Sequence, residues 1–303
     1  MIFSFFHKKR IEISERYDFA KNLKKFKKLR KSKKLIMGVT VGRSGMTWVL
    51  EILKAHKNIY GGGERNSTCE SFFRYAKHNR LNVDETALLN SIISETLNDW
   101  KKNNISFQLS PYFSHCIDLI EKNLSPDGYI WGINEVKFTV QSFYNKGWYY
   151  PDYNFSNGRK IPGFSLSDSV KPSHFFGRIV PKGKYYNSWL KLTRIGKISW
   201  YVNFTNKVIY NSLKKINNNK IFIFVLKKGD QNYNFYLKLA KWLGIKKKLD
   251  LKSFLKIKFM KKTMFKSIEN KKKNLTQKEI KEIKILTKNF IKTYEKAFKT
   301  TDY

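Results

Sequence analysis

The chain has 303 residues and a formal net charge of +38, with 61 lysines and arginines against 23 aspartates and glutamates. Hydrophobic residues make up 41% of it and aromatic residues 16%, which excludes a globally disordered protein because this much apolar surface can form a core. No apolar run is long enough to span a bilayer, and the two cysteines and five histidines have no metal-ligand spacing, so we expect no metal site. The excess positive charge attracts nucleic acid, anionic lipid or acidic substrates.

Residues 1–34 form a basic N-terminal arm. Its first apolar residues are too few for a secretion signal, so we expect a cytoplasmic protein. Phe19, Leu23, Phe26 and Leu29 recur at helical spacing with lysines between them, which predicts an amphipathic helix. Such a helix either packs on its own domain or lies on an anionic membrane, so a peripheral position at the inner membrane surface stays open.

The segment from residue 35 to residue 50 carries the most informative pattern. An apolar run leads into a glycine-rich turn, here called the glycine loop (residues 42–48, Gly-Arg-Ser-Gly-Met-Thr-Trp), and helical periodicity follows. A strand, such a turn and a helix start together hold anions on backbone N–H groups, although a purely structural turn has the same pattern. The NTPase loop ends in Gly-Lys-Ser/Thr, and that lysine is missing here. Arg43 offers a fork suited to phosphate or sulfate oxygens, and Thr47 is placed to cap the helix.

The glycine loop resembles the 5′-phosphosulfate loop of the PAPS-dependent sulfotransferases, usually Arg-Ser-Gly-Thr-Thr followed by Trp or Leu. Those enzymes transfer a sulfuryl group from PAPS (3′-phosphoadenosine 5′-phosphosulfate) on a P-loop-like α/β fold, leaving PAP and needing no metal. The resemblance implies that PAPS is held by Gly42, Arg43, Ser44, Gly45, Met46, Thr47 and Trp48. It also gives Arg43 a catalytic role at the leaving oxygen. Met46 departs from the pattern because a threonine is common there.

The resemblance continues from Ala55-His56 to Gly63-Glu64, which looks like the "Ala-His-Pro … Gly-Glu" segment of tyrosylprotein sulfotransferases. A glutamate at this place is the base in that branch, so the resemblance implies that Glu64 takes the proton of the acceptor hydroxyl. We interpret the glycines before Glu64 as a mobile, substrate-facing loop. Alternatively, Glu64 caps the next helix or pairs with a lysine.

Further along, the resemblance is weaker. Residues 131–137 (Trp-Gly-Ile-Asn-Glu-Val-Lys) resemble a "Trp-Gly-Phe-Lys-Glu-Val-Arg" stretch of the family, with Asn134 in place of the lysine. The "Arg-Asp-Pro-Arg" anchor for the 3′-phosphate has no clean copy. Arg159 and Ser167 are the nearest candidates, and Arg178 and Lys182 are rival anion ligands.

Strand and helix patterns alternate, which predicts an α/β three-layer sandwich with a mainly parallel sheet. We expect one sulfotransferase-like domain over residues 35–303, with a divergent insertion at about 143–192. Strands are predicted over residues 129–140 and 221–226, and helices over residues 84–102, 111–123, 199–217 and 231–243, the last stopped by Gly244. Capping boxes from Ser67 to Glu70 and from Thr276 to Glu279 predict two further helix starts.

The expected function is sulfuryl transfer from PAPS to a hydroxyl acceptor, a carbohydrate of a surface glycan or glycolipid. That choice of acceptor follows the habit of the family and the aromatic content of the chain. The alternative is a non-catalytic basic protein that binds nucleic acid or an anionic membrane, in which the missing 3′-phosphate anchor reflects loss of PAPS binding.

Overall fold

A parallel sheet forms the centre of the molecule. The computed structural model describes residues 18–149, 176–226, 232–257 and 275–288. In this part of the chain the sheet order is β2-β3-β1-β4-β5, and every neighbouring pair is parallel. The strands are β1 Lys34–Thr40, β2 Ile59–Gly63, β3 Ile105–Ser110, β4 Gly128–Asn134 and β5 Ile221–Leu226. All their carboxyl ends therefore meet at one edge, with β1 in the middle.

Helices cover both faces of the sheet. They are α1 Phe19–Leu29, α2 Met46–Lys54, α3 Ser67–Asn79, α4 Thr86–Asp99, α5 Ile117–Leu124, α6 Val136–Asn145, α7 Lys184–Leu190, α8 Arg194–Leu213, α9 Tyr233–Leu243 and α10 Gln277–Thr287. Residues from α2, α9 and the helical segment 251–257 form one apolar core, and residues from α1, α4, α5, α6 and α8 form the other. The predicted α/β architecture with a parallel sheet between two helical layers is confirmed.

Strand order fixes where a ligand is best placed. The chain leaves β1 towards β2 on one side, and it leaves β4 towards β5 on the other. In open α/β sheets, ligands bind outside the carboxyl ends of the strands where the connections diverge in this way. The crevice between the ends of β1 and β4 is that point, and the glycine loop follows β1.

Helix α1 packs on the domain with the predicted apolar stripe. Phe26 is buried and stacks on Trp100, with ring centroids 5.2 Å apart. Phe19, Leu23 and Leu29 are partly buried against the same core. The stripe that would insert into a membrane surface is thus covered by the protein itself. None of the described helices combines the length and the apolar character needed to cross a bilayer.

The predicted strand over residues 129–140 is wrong in its second half. Strand β4 ends at Asn134, whose side-chain oxygen accepts the N–H of Glu135 at 2.7 Å, and α6 begins at Val136. Val136, Val140 and Phe143 have helical spacing and are all buried. The alternation of charged and apolar residues in this stretch concealed that spacing.

Other boundaries are close to the predictions. Strand β5 covers the predicted residues, Gly244 ends α9 in the left-handed conformation, and the capping box at Thr276 is formed with Glu279. The cap of α3 is Asn66 rather than Ser67, because the Asn66 side chain accepts the N–H of Cys69. A 3₁₀ turn, Pro111–His115, replaces the start of the predicted helix 111–123, and α8 begins at Arg194, earlier than expected.

Candidate functional site

The glycine loop turns sharply between β1 and α2. Gly42, Arg43 and Gly45 have φ angles of 98°, 58° and 77°, in the left-handed region that favours glycine. A Cβ atom on Gly45 would also lie 2.8 Å from Leu226 Cδ2, so only glycine fits there. Gly45 is the N-cap of α2 and Thr47 is inside the helix, so the predicted capping role of Thr47 is wrong.

Hydrogen bonds fix the shape of the loop from within. The hydroxyls of Thr40 and Ser44 are 2.5 Å apart, and Thr40 Oγ1 also accepts the N–H of Gly42 at 3.1 Å. From the neighbouring strand, Asn134 Nδ2 donates to the Arg43 carbonyl at 3.0 Å. Ser44 is buried, so its hydroxyl shapes the loop from inside.

Most backbone amides of the loop have no acceptor in the described part of the chain. Within the described residues, the N–H groups from Arg43 to Thr47 donate to no protein atom, whereas that of Trp48 donates to the Gly45 carbonyl. Several consecutive N–H groups at a helix N-terminus form an anion-binding concavity. The exposed Thr47 hydroxyl lies in the same first turn of α2.

Two other side chains of the glycine loop point into the core. Met46 is buried and packs directly on Gly132 of β4. A Cβ atom on Gly132 would lie only 2.2 Å from Met46 Cγ. Trp48 is buried among aromatic rings, with its centroid 5.8 Å from Phe224 and Phe235. Both side chains anchor α2 to the sheet, which leaves the Met46 backbone N–H for a ligand.

The structure brings Arg43 and Glu64 together. Burial lowers the pKa of the Arg43 guanidinium, and the negative charge of Glu64 opposes this effect. Arg43 Nε donates to Ser142 Oγ of α6 at 2.6 Å, which orients the guanidinium. Glu64 is exposed, and its N–H donates to the Leu109 carbonyl at 2.8 Å. The two predicted catalytic residues, distant in the sequence, therefore share one edge of the sheet.

The segment before Glu64 is an ordered strand, so its interpretation as a mobile loop is wrong. Gly61–Gly63 pair with β3, and a Cβ on Gly61 would lie 2.6 Å from the Phe107 carbonyl oxygen. After Glu64, the Arg65 guanidinium donates to both oxygens of the buried Asp99, at 2.8 and 2.9 Å. Glu64 is thus held between two fixed points, and it does not cap α3, because Asn66 does.

Glu70 is a buried carboxyl group beside this site that the sequence indicated only as a capping residue. Burial raises its pKa to about 7, and the charge of Glu64 adds to the effect, while hydrogen bonds from Ser110 and Asn66 oppose it. The Asn66 N–H donates to Glu70 Oε1 at 3.2 Å. A capping box signals such a residue in the sequence but does not reveal its burial.

Of the remaining predicted anion ligands, only Arg178 and Lys182 are among the described residues. Arg159 and Ser167 lie outside the described residues. The Arg178 guanidinium lies over the Trp148 ring, 5.6 Å from its centroid, and burial lowers its pKa. In the described ranges no group of His, Cys, Asp or Glu side chains is arranged to hold a metal ion.

Comparison with known proteins does not extend these observations. Neither the models of known protein families nor the curated protein sequences give a match to this chain.

Proposed function

We propose that the protein is a PAPS-dependent sulfotransferase with a P-loop-like fold. One observation carries this proposal: the consecutive N–H groups from Arg43 to Thr47 donate to no atom of the described residues and lie at the carboxyl end of β1, where the charge of Glu64 acts on Arg43. The residues fit a phosphosulfate group, because backbone donors and a guanidinium match its oxygens and a carboxylate stands beside them.

Each residue has a defined part in this proposal. The glycine loop and the Thr47 hydroxyl hold the 5′-phosphosulfate, and Arg43 stabilises the charge that develops on the leaving phosphate oxygen. Glu64 accepts the proton of the acceptor hydroxyl as that oxygen attacks sulfur. Asn134 and Ser142 position Arg43 through its carbonyl and its Nε. PAPS supplies the activated sulfuryl group.

The acceptor in this proposal is a carbohydrate hydroxyl of a surface glycan or glycolipid. Phe138 belongs to α6, the helix that carries Ser142, and its side chain is 54% exposed. An exposed aromatic ring near the loop offers an apolar face on which a sugar ring can stack.

Substitution of Arg43 tests nucleotide binding. Titration calorimetry should show micromolar or tighter binding of PAP by the unaltered protein, with ATP as a comparison ligand. Arg43→Ala should weaken PAP binding at least tenfold, about 1.4 kcal/mol, because a charge-assisted contact is lost. Lys57→Ala is the matched control, since Lys57 is exposed and remote from the loop. Equal PAP affinity in both variants would remove the loop from the proposal.

Substitution of Glu64 tests the base. Transfer of radiolabelled sulfate from PAPS to glycan fractions should fall by about 10²–10⁴-fold in Glu64→Gln, the usual contribution of a positioned base, while PAP affinity is retained. Glu51→Gln removes a carboxylate of α2 that pairs loosely with Lys54 at 3.7 Å, and it should transfer normally. Unchanged turnover in Glu64→Gln would exclude Glu64 from the mechanism.

The charge of +38 also supports a second candidate, a non-catalytic basic protein that binds nucleic acid. In that case the protein binds a DNA duplex with a steep dependence on salt and has no affinity for PAP. The packed stripe of α1 favours nucleic acid over a membrane as the partner of this candidate.

A further inference from the structure

Arg74 on α3 is a buried cation that has no counter-ion among the described residues. Its side chain is fully buried, and its guanidinium lies over the Tyr201 ring, 5.0 Å from the centroid. Nη2 donates to Thr205 Oγ1 at 3.2 Å. Nε and Nη1 have no hydrogen-bond partner among the described residues, and Arg74 belongs to none of the ion pairs in that part of the chain.

A second buried donor is close to Arg74. His115 in the 3₁₀ turn is partly buried, and its Nε2 is out of contact with solvent. Burial together with the charge of Arg74 holds the pKa of its ring well below the ordinary value, so the ring is neutral. Its Nδ1 is 3.1 Å from Ser114 Oγ. When that hydroxyl donates, the ring proton is on Nε2, which has no partner in the described ranges.

The surroundings of these two residues are positive. Arg74 and Lys182 both lower the pKa of His78, which burial brings down to about 4. Burial raises the pKa of the Tyr149 hydroxyl, and the charges of Arg74 and Arg178 both oppose that rise. The carboxyl group on the same helix, Glu70, accepts the Asn66 N–H at 3.2 Å and forms no ion pair with Arg74 within the described residues.

This arrangement calls for an anion. A guanidinium cannot lose its proton inside a protein, and a buried charge without a partner is strongly destabilising. The donors left for such an anion are Arg74 Nε and Nη1 on α3 and His115 Nε2 in the 3₁₀ turn. N–H donors of this kind bind the oxygens of a phosphate or sulfate ion.

We propose that Arg74 and His115 form a second anion site, separate from the glycine loop, which takes phosphate or sulfate. It lies beside the loop, because the Tyr201 ring under Arg74 carries a hydroxyl that donates to the Val41 carbonyl at 3.3 Å. The oxyanion is either a free inorganic ion or a group on a larger ligand, such as the 3′-phosphate of PAP. The site stands independently of the proposed enzymatic activity.

Thermal denaturation tests this site in an Arg43→Ala background, where binding to the glycine loop is weakened. Saturating sodium sulfate or phosphate should raise the melting temperature by about 5 °C over sodium chloride of equal ionic strength. The further change Arg74→Met should abolish that rise. Arg80→Met, which removes an exposed arginine just after α3, should keep it.

Two further arms complete the experiment. If PAP raises the melting temperature, AMP does not, and Arg74→Met abolishes the effect of PAP, the oxyanion is the 3′-phosphate of the nucleotide. If inorganic sulfate raises the melting temperature as much as PAP does, the oxyanion is a free ion. If Arg74→Met does not fold, His115→Phe replaces it and should lower the anion affinity at least tenfold. The absence of any rise above sodium chloride, or an equal rise in Arg74→Met and Arg80→Met, would overturn the proposal.

Discussion

At the scale of single residues, burial changes what a side chain can do. Glu70 follows Asn66 at the start of α3, and from the sequence it is one more capping glutamate. In the folded protein Glu70 is buried, with 5% of its surface exposed. Desolvation therefore shifts its titration to near neutral pH, while the exposed Glu64 supplies a nearby negative charge.

This burial predicts a pH dependence of stability. The pKa of Glu70 rises from 4.5 to about 7 on folding, so the folded state binds more protons than the unfolded state between these values. The free energy of unfolding contributed by this group therefore falls as pH rises through that window, by about 3 kcal/mol in all. Glu70→Gln should flatten this dependence and stabilise the protein at pH 8, with little effect at pH 4.

Urea denaturation at both pH values measures the effect. Asp118→Asn is the control, because Asp118 is 58% exposed in a surface pair with Lys215 and should give no such difference. A Glu70→Gln protein that is less stable at pH 8 than the unaltered protein would show that the carboxylate is favoured where it is buried.

At the scale of elements, close packing decides the conformation of segments whose composition suggests something else. The run Gly61–Gly63 has the composition of a flexible loop, but it is an edge strand because its small residues let β3 and Arg65 approach. The Arg65 side chain crosses Gly62 to reach Asp99. The rigid strand then delivers Glu64 to the same edge as the glycine loop.

Two alanine substitutions in β2 test this packing. Gly61→Ala should destabilise the protein by about 1–3 kcal/mol, because the new methyl group meets the Phe107 carbonyl at 2.6 Å. Gly63→Ala should cost well under 1 kcal/mol, because the closest atom to its methyl group is 3.7 Å away. Chemical denaturation of both variants measures the difference. Equal stabilities would mean that β2 is as mobile as its composition suggests.

At the scale of the whole molecule, the charge of +38 acts as a long-range field. We expect a short DNA duplex to bind weakly at 50 mM salt and to lose about 10³-fold or more in affinity by 200 mM if six or more phosphates are contacted. PAP binding depends on a few fixed donors and should change far less over that range. Fluorescence anisotropy with both ligands measures the two slopes. If the affinities for DNA and for PAP fall equally steeply with salt concentration, both ligands bind one nonspecific electrostatic surface.

The sequence by itself determined the alternation of strands and helices, the position of the glycine loop and the apolar stripe of α1. Those features depend on residue period and on local backbone preferences, which neighbours in the chain specify. The tertiary structure alone decided that Arg43 and Glu64 lie at the same sheet edge, that Met46 and Trp48 point into the core, and that Glu70 and Arg74 are buried. Strand order and packing between distant segments decide which residues share a sheet edge and which are desolvated. No local sequence pattern encodes strand order or this packing.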